Sequence, residues 1–568
     1  MVVTALFGQL QPLLAYMPPI QSTGESMVRR LFGTDGIRGK IVTASANEKT
    51  ALLQLHEQRS VCPTLMRLVG EALGHLIDTL PGEGDNVVIG WDERPGNQAL
   101  VEGVTLGLRL AGCSVTHIGI CATPALHYAV LWHKARLGCM ITASHNPATD
   151  SGIKVFDAKG YKTSPHLEDK ISELAYALCE EEREIDDIDR TELSQSSTGQ
   201  YLEWGRQQHP LWLAQRLASF KRVFGASSFS TKNIQQPLPL DCSKGSASTW
   251  FADWLTQQGI DTTEVSHDAV EINNRCGAGD FSPTATWTVD QAAASEHLLL
   301  RSLKPAPSGT IVGAALDGDG DRCLILESTD TGYKVIDGDA MADTLVVAGI
   351  QQKKSWLLAA SIESDLALLS SLSRLPVKVE SIETAVGDRW LSHALRNSLS
   401  NGQDMPCIVG VEDSGHLVLP SPYPHEEGGW SLVGDGAATL VAYLFTQSIA
   451  PSDELMQRGW KQRVSVKNVQ RELWDGRNDL SNEIEQLARS HLQQCGELSQ
   501  WHRHGLEGEE NLMLIEAHLD GAPLSLGIRN SGTQAKISIS LRLSSMLEHD
   551  NIALMMPKLA SHLAEAMC

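Results

Sequence analysis

Asp317, Asp319 and Asp321 stand at alternate positions in the run LDGDGDR, with Gly318 and Gly320 between them. Alternate residues of an extended segment project to one side, so the three carboxylates converge, and the glycines permit a tight path. Carboxylates brought that close repel one another unless a cation lies among them. An all-oxygen donor set suits Mg2+ or Mn2+ rather than zinc. A calcium EF-hand is excluded: its sixth position requires Gly and its twelfth Glu, and Arg322 and Ser328 stand there. A solvated acidic turn is the other reading of these residues.

Three further clusters carry chemistry. In TASHNP, residues 142–147, Ser144 is followed by His145, and Lys154 and Lys162 come downstream. A lone Ser is a weak nucleophile, but a phosphorylated Ser is a phosphoryl donor that needs a metal and cations around it. A helix cap or plain turn is the rival there. The run GVEDSGH, residues 410–416, offers a carboxylate, a hydroxyl and an imidazole suited to sugar hydroxyls. In RNSGTQAK, residues 529–536, a guanidinium, two hydroxyls and a Gly turn could cradle a phosphate dianion. A surface turn and a hairpin turn are the respective rivals. LFGTDGIRG, residues 31–39, places glycines around Arg38 but is neither GxGxxG nor a Walker A sequence, and no GxSxG elbow is present.

Three of these clusters directly follow predicted strands, where open α/β sheets collect ligands. Strands are predicted at residues 87–90, 115–120 and 138–142, with a helical stripe through Val101, Val104, Leu108 and Ala111. A second such unit is predicted from strands at 237–240 and 311–316 and a helix near 246–258. A third has strands at 356–360, 377–379 and 407–411. The last part differs: strands at 511–519 and 536–543 precede a terminal amphipathic helix at 551–567. In the second of these strands Ile537, Ile539, Leu541 and Leu543 alternate with Ser538, Ser540, Arg542 and Ser544. The expected fold class is α/β: three related mixed or parallel α/β domains and a C-terminal α+β domain. Stretches 180–197 and 446–452 are the expected boundaries.

At about 150 residues per domain, 568 residues imply three or four domains. Lys plus Arg is 46 against 69 Asp plus Glu, and the net charge of −23 opposes non-specific attraction to nucleic acid or an anionic membrane. Hydrophobic residues at 42% and charged residues at 20% are ordinary globular usage, which excludes a wholly disordered or coiled-coil chain. The eleven cysteines form no CxxC pair, and reduced thiols in a cytoplasm are expected. The first 26 residues lack Lys and Arg, so the basic start of a secretory signal is missing, and Met27 fits an alternative start. No apolar run of about 18 residues suggests a membrane span.

In series, FGTDGIRG, TASHNP, DGDGDR, VGDR, GVEDSGH and RNSGT resemble the α-D-phosphohexomutase superfamily. The opening run is most similar to that of its phosphoglucosamine mutase branch, and the motif order spans residues 27–567. The resemblance implies three related α/β domains and a smaller phosphate-binding fourth around a central cleft. Residues 1–26 are then an extension. The domains run 27–190 with the phosphoserine loop, 196–335 with the metal loop, 336–448 with the sugar loop and 452–568 with the phosphate loop.

It also implies roles. Ser144 becomes the phosphoserine, and Asp317, Asp319 and Asp321 bind Mg2+ together with the Ser144 phosphate. Arg38, His145, Lys154 and Arg322 surround the transferring group. Glu412, Ser414 and His416 hold the sugar, Gly387, Asp388 and Arg389 form the sugar-specificity loop, and Arg529, Ser531, Gly532 and Thr533 grip the spectator phosphate. The implied reaction converts a hexosamine or hexose 6-phosphate to its 1-phosphate through a hexose 1,6-bisphosphate, glucosamine 6-phosphate being the first choice. Glucose or mannose phosphates, and a non-catalytic sugar-phosphate-binding relative, are the alternatives. The expected partner is a small sugar phosphate, with no nucleic acid and no membrane. The chain departs from the family's pattern: Gln534-Ala535 replaces Glu-Pro after SGT, DCSKGS at 241–246 lacks the usual Asn, extra sequence precedes Met27 and stands between His416 and Gly434, and the fourth domain is longer than usual.

Overall fold

The computed structural model describes residues 30–43, 45, 47–181, 199–399, 402–425, 428–531 and 535–568. The predicted extension at 1–26, most of the stretch at 180–197, and Gly532 and Thr533 lie outside the described residues. Four sheets carry the described chain.

The first sheet has the spatial order Ser60–Val61, Ile37–Ile41, Asp150–Asp157, Leu137–Ile141, Asn86–Trp91, Ser114–Ile120, Gly199–Gln200. Only Asp150–Asp157 runs against its neighbours. The second sheet is ordered Thr286–Thr288, Gly332–Ile336, Cys323–Ser328, Ile311–Leu316, Leu238–Asp241, Thr262–Glu264. The third is ordered Val379–Thr384, Trp356–Ser361, Ile408–Val411, Leu417–Pro422, Trp430–Gly434.

One order recurs in all three sheets. A central strand has its parallel successor on one side and the next parallel strand on the other, and that next strand is followed by an antiparallel return. Leu137–Ile141 returns as Asp150–Asp157, Ile311–Leu316 as Cys323–Ser328, and Ile408–Val411 as Leu417–Pro422. Each of the three loops at these reversals therefore leaves the carboxyl end of a parallel strand. They hold Ser144, the three aspartates and Glu412–His416. The strands feeding them are buried on both faces, as the continuous burial of Leu137–Ile141, Ile311–Leu316 and Ile408–Val411 shows.

The fourth sheet is wholly antiparallel, in the order Trp460–Lys467, Lys536–Leu543, Ala522–Asn530, Glu509–Leu519, Leu498–Leu506. Ile537, Ile539, Leu541 and Leu543 face a core shared with helices Asp479–Cys495 and Met555–Met567. Arg542, on the face expected to be wet, is buried instead. Its guanidinium donates to Glu383 at 2.9 Å and Ser525 at 2.8 Å, because the third unit covers that end of the sheet.

Helix Trp204–Phe224 joins the first three units. Trp212 stacks on Tyr128 of the first unit with ring centroids 4.6 Å apart. Arg216 reaches Asp435 at 2.7 Å, and Asp435 in turn caps helix Gly436–Thr446 by accepting from the Ala438 amide.

Several expectations change. Gly199–Gln200 pairs with Ser114–Ile120, so the first unit takes back residues that a second domain beginning at 196 would claim. The extra sequence after His416 supplies strands Leu417–Pro422 and Trp430–Gly434, the antiparallel side of the third sheet. The strand expected at 377–379 is Val379–Thr384, an edge strand whose exposed residues leave no apolar signature. The helix near 246–258 breaks at Trp250 into Ser246–Thr249 and Phe251–Gln257. Among the described residues no helix is long and apolar enough to cross a membrane.

Candidate active site

Ser144 lies just past the buried strand Leu137–Ile141 and is held at φ +54°, a left-handed conformation uncommon outside glycine. Such strain costs about 1–3 kcal/mol and persists only where the surroundings over-determine it. Here they do. The Ser144 amide donates to Thr142 Oγ1 at 2.8 Å, and that hydroxyl donates to Asp92 at 2.6 Å. Arg94, paired with Asp92 at 3.0 Å, donates to the carbonyls of Ser144 at 2.6 Å and Asn146 at 2.9 Å. Asn273, from the second unit, donates to the same two carbonyls at 2.8 Å each. The sequence signal for Arg94 was its place directly after strand Asn86–Trp91; Asn273 follows no strand and left none.

The second-unit loop meets this one face to face. Ser144 Oγ donates to Asp317 Oδ2 at 2.7 Å. Gly318 is required by closeness: a Cβ there would stand 2.9 Å from the Ser144 carbonyl and 2.7 Å from the Asn273 amide. Gly320, at φ +71°, turns the chain so that Asp321 returns toward Asp317. Asp317, Asp319 and Asp321 are 1%, 0% and 3% exposed, and each offers a carboxylate oxygen within 4.8 Å of the others.

Cations crowd the triad. Lys154, on strand Asp150–Asp157, reaches Asp319 at 2.6 Å, Asp321 at 2.8 Å and Asp35 at 3.3 Å. Lys162 joins Asp35 at 2.8 Å to Asp388 at 3.0 Å. Arg38 pairs with Asp35, and Arg322 Nε stands 4.0 Å from Asp317. His416 bridges Asp321 at 3.5 Å and Asp388 at 3.3 Å. Arg38, His145, Lys162, Arg322, Gly387, Asp388, Glu412 and His416 line one cleft of about 520 Å3.

Burial and neighbours set the charge states. Burial, with Asp321 and Asp319 alongside, pushes the Asp317 carboxyl up to about 7. Burial opposes the ammonium of Lys154, but Asp319, Asp321 and Asp35 outweigh it and hold the group well above its ordinary value. Arg322 first, then burial, lowers His145 to about 3, so its imidazole is neutral at pH 7. His416 goes the other way: burial is overridden by Asp321 and Asp388, which raise it to about 10.

Not every expected residue joins this cleft. Arg389 reaches Glu168 at 2.5 Å and the Thr34 carbonyl at 3.2 Å, tying the third unit to the first. Ser414 lines an adjoining cavity of about 370 Å3 that shares Arg322 and Glu412 with the main cleft. Arg529, at the end of strand Ala522–Asn530, is held by Glu363 at 2.8 Å and Glu509 at 3.2 Å. Ser531 follows strand Ala522–Asn530, and its amide donates to the Lys536 carbonyl at 2.8 Å. Asp35 and Glu363 were missed as site residues, since each gains its meaning only from partners distant in sequence.

The triad suits a divalent cation. Its donors are all oxygens, and Asp319 Oδ1 is buried with no hydrogen-bond partner among the described residues, an arrangement costly without a cation.

Residues 29–181 match the family described as phosphoglucomutase/phosphomannomutase, alpha/beta/alpha domain I. The phosphoglucosamine mutase of Dinoroseobacter shibae is 31% identical over 399 residues, covering 69% of this chain and 75% of that protein. That of Roseobacter denitrificans is 30% identical over 435 residues, covering 76% and 81%. Among solved structures, a phosphoglucomutase/phosphomannomutase family protein from Burkholderia thailandensis superposes with a TM-score of 0.60 at 16% identity, covering 94% of this chain and 97% of that one. The Aspergillus fumigatus N-acetylphosphoglucosamine mutase, solved with GlcNAc-6P and magnesium, gives 0.53 at 16% identity over 99% of each chain. The chain belongs to the α-D-phosphohexomutase superfamily and is an isomerase of the intramolecular phosphotransferase class.

Proposed function

We propose that the chain interconverts glucosamine 6-phosphate and glucosamine 1-phosphate, with Ser144 as the phosphorylated residue and a hexose 1,6-bisphosphate as the intermediate. The observation that carries this reading is the 2.7 Å contact of Ser144 Oγ with Asp317, inside a buried aspartate triad. The relatives named phosphoglucosamine mutase favour the amino sugar.

Phosphoryl transfer needs positioning and charge neutralisation more than covalent help. Asp317, Asp319 and Asp321 would hold Mg2+, which supplies neutralisation of phosphoryl oxygens when bound. Lys154, Arg38 and Arg322 add positive charge around the same point. In the first half-reaction a bond forms between phosphorus and the sugar's free hydroxyl oxygen while the Ser144 Oγ–phosphorus bond breaks. The hydroxyl proton passes to the departing Ser144 Oγ by way of neutral His145, whose Nδ1 is buried with no hydrogen-bond partner among the described residues. The second half-reaction returns the other phosphate to Ser144 and the proton to the sugar. Glu412 and His416 face the sugar, and Gly387 and Asp388 form the adjoining wall. Arg529 and Ser531, with Gly532 and Thr533 next in sequence, take the spectator phosphate.

The four sheets are read as four domains, with Gly199–Gln200 reassigned to the first. The cytoplasm, which keeps thiols reduced, suits eleven unpaired cysteines. The test is turnover of glucosamine, glucose and mannose 6-phosphates under one set of conditions. The amino sugar is expected to show the highest kcat/KM; a preference for glucose or mannose would assign the chain to that substrate instead.

A further inference from the structure

Glu363 lies in the turn after strand Trp356–Ser361, at the carboxyl end of the third sheet. Its side chain, 15% exposed, reaches across to the fourth unit and bridges two guanidinium groups, Arg529 at 2.8 Å and Arg463 at 2.5 Å. Its backbone carbonyl accepts from Lys461 at 3.3 Å. Glu363 and Arg463 line the 370 Å3 cavity that adjoins the main cleft. A carboxylate gripping two arginines occupies the position that a phosphate would take against the same groups.

The second carboxylate on Arg529 differs in kind. Glu509 stands on the neighbouring strand of the same sheet, so it travels with Arg529 and orients it. Glu363 comes from another unit, and its contact is the one that can part. Two guanidinium groups facing two carboxylates are already neutralised. A phosphate dianion added beside them would meet repulsion from Glu363 unless that carboxylate withdraws.

We propose that Glu363 is a resident anion that occupies the Arg529–Arg463 pair until a substrate phosphate displaces it. Substrate arrival thereby breaks a contact between the third and fourth units, and Glu363 sets how tightly the phosphate end binds. The inference rests on Arg529 being the phosphate-gripping residue.

The experiment measures KM for glucosamine 6-phosphate and Ki for inorganic phosphate in Glu363→Gln, Arg529→Gln and the double variant of the full chain. Removing the competing charge is expected to lower both constants about tenfold, the scale of one charge-assisted hydrogen bond. The effect should vanish in the double variant. Glu363→Asp, which keeps the charge and shortens the reach, should fall between. If Glu363→Gln leaves both constants within about twofold or raises them, while Arg529→Gln raises KM, Glu363 is a structural tie and the inference is overturned alone. If Arg529→Gln leaves KM unchanged, the phosphate reading of Arg529 fails and the inference falls with it.

Discussion

The seam between the first and second units and the seam between the third and fourth are both rich in ion pairs, yet they are held by different means. At the first, Ser144 and the three aspartates are almost fully buried, and backbone fixes them: the left-handed Ser144, the Gly318 approach and the Arg94 and Asn273 clamps leave no slack. At the second, Arg529 and Glu363 keep 23% and 15% of their side chains exposed and are positioned by long side chains that can exchange partners. The contrast teaches where each task belongs. Under the proposed function, phosphoryl transfer, which demands fixed distances, falls on the rigid seam, and a grip that must accept either end of a bisphosphate falls on the exchangeable one.

The largest effect should come from the rigid seam. Ser144→Ala is expected to abolish turnover, a loss on the order of 10⁴-fold or more in kcat, while the far-UV circular dichroism is retained. Activity near that of the unmodified chain would remove Ser144 from the chemistry. Next is Arg94→Lys, which leaves Ser144 in place but loses the fork on its loop. A displacement of about 1 Å is worth roughly 10²-fold, so kcat should drop on that scale with Ser144 still intact. An unchanged kcat would show that Asn273 and Thr142 suffice.

The exchangeable seam should answer differently. Arg529→Gln is expected to raise KM for the sugar phosphate about tenfold or more with a smaller change in kcat, because its proposed role is to grip the part of the substrate that does not react. A fall in kcat alone would move Arg529 to the reacting end and erase the distinction between the seams.

The smallest effect is a pH dependence in the metal-free protein. Asp321 and Asp388 outweigh burial and raise His416 to about 10, above its ordinary value near 6.5. A raised folded pKa gives stability that is full below about 6.5 and lost as pH climbs toward 10. Melting in chelator between pH 6 and 10 should therefore decline, and His416→Gln should flatten part of that decline. An identical slope in the variant would contradict the charged state assigned to His416.

Much of the site was legible because its residues are local in sequence. The triad lies within one loop, and its alternate spacing alone predicts convergence; the strands feeding Ser144, Asp317 and Glu412 announce themselves as apolar runs. What the sequence hid is long-range. Asp35 looks like part of a glycine turn until Lys154 and Lys162 arrive from far along the chain, and Arg389, in the VGDR run, pairs with the distant Glu168. Arg542 sits in clean alternation, yet the third unit covers it, so period-two patterning misjudges its surroundings. Val379–Thr384 was misplaced because an edge strand with exposed side chains carries no burial pattern.

The most direct test is to incubate the chain with Mg2+ and a hexose 1,6-bisphosphate labelled in its phosphates, then map the labelled peptide. Stoichiometric label on Ser144, lost in both Ser144→Ala and Asp319→Asn, is the predicted result. Turnover without label on Ser144, or label on another residue, would contradict the account.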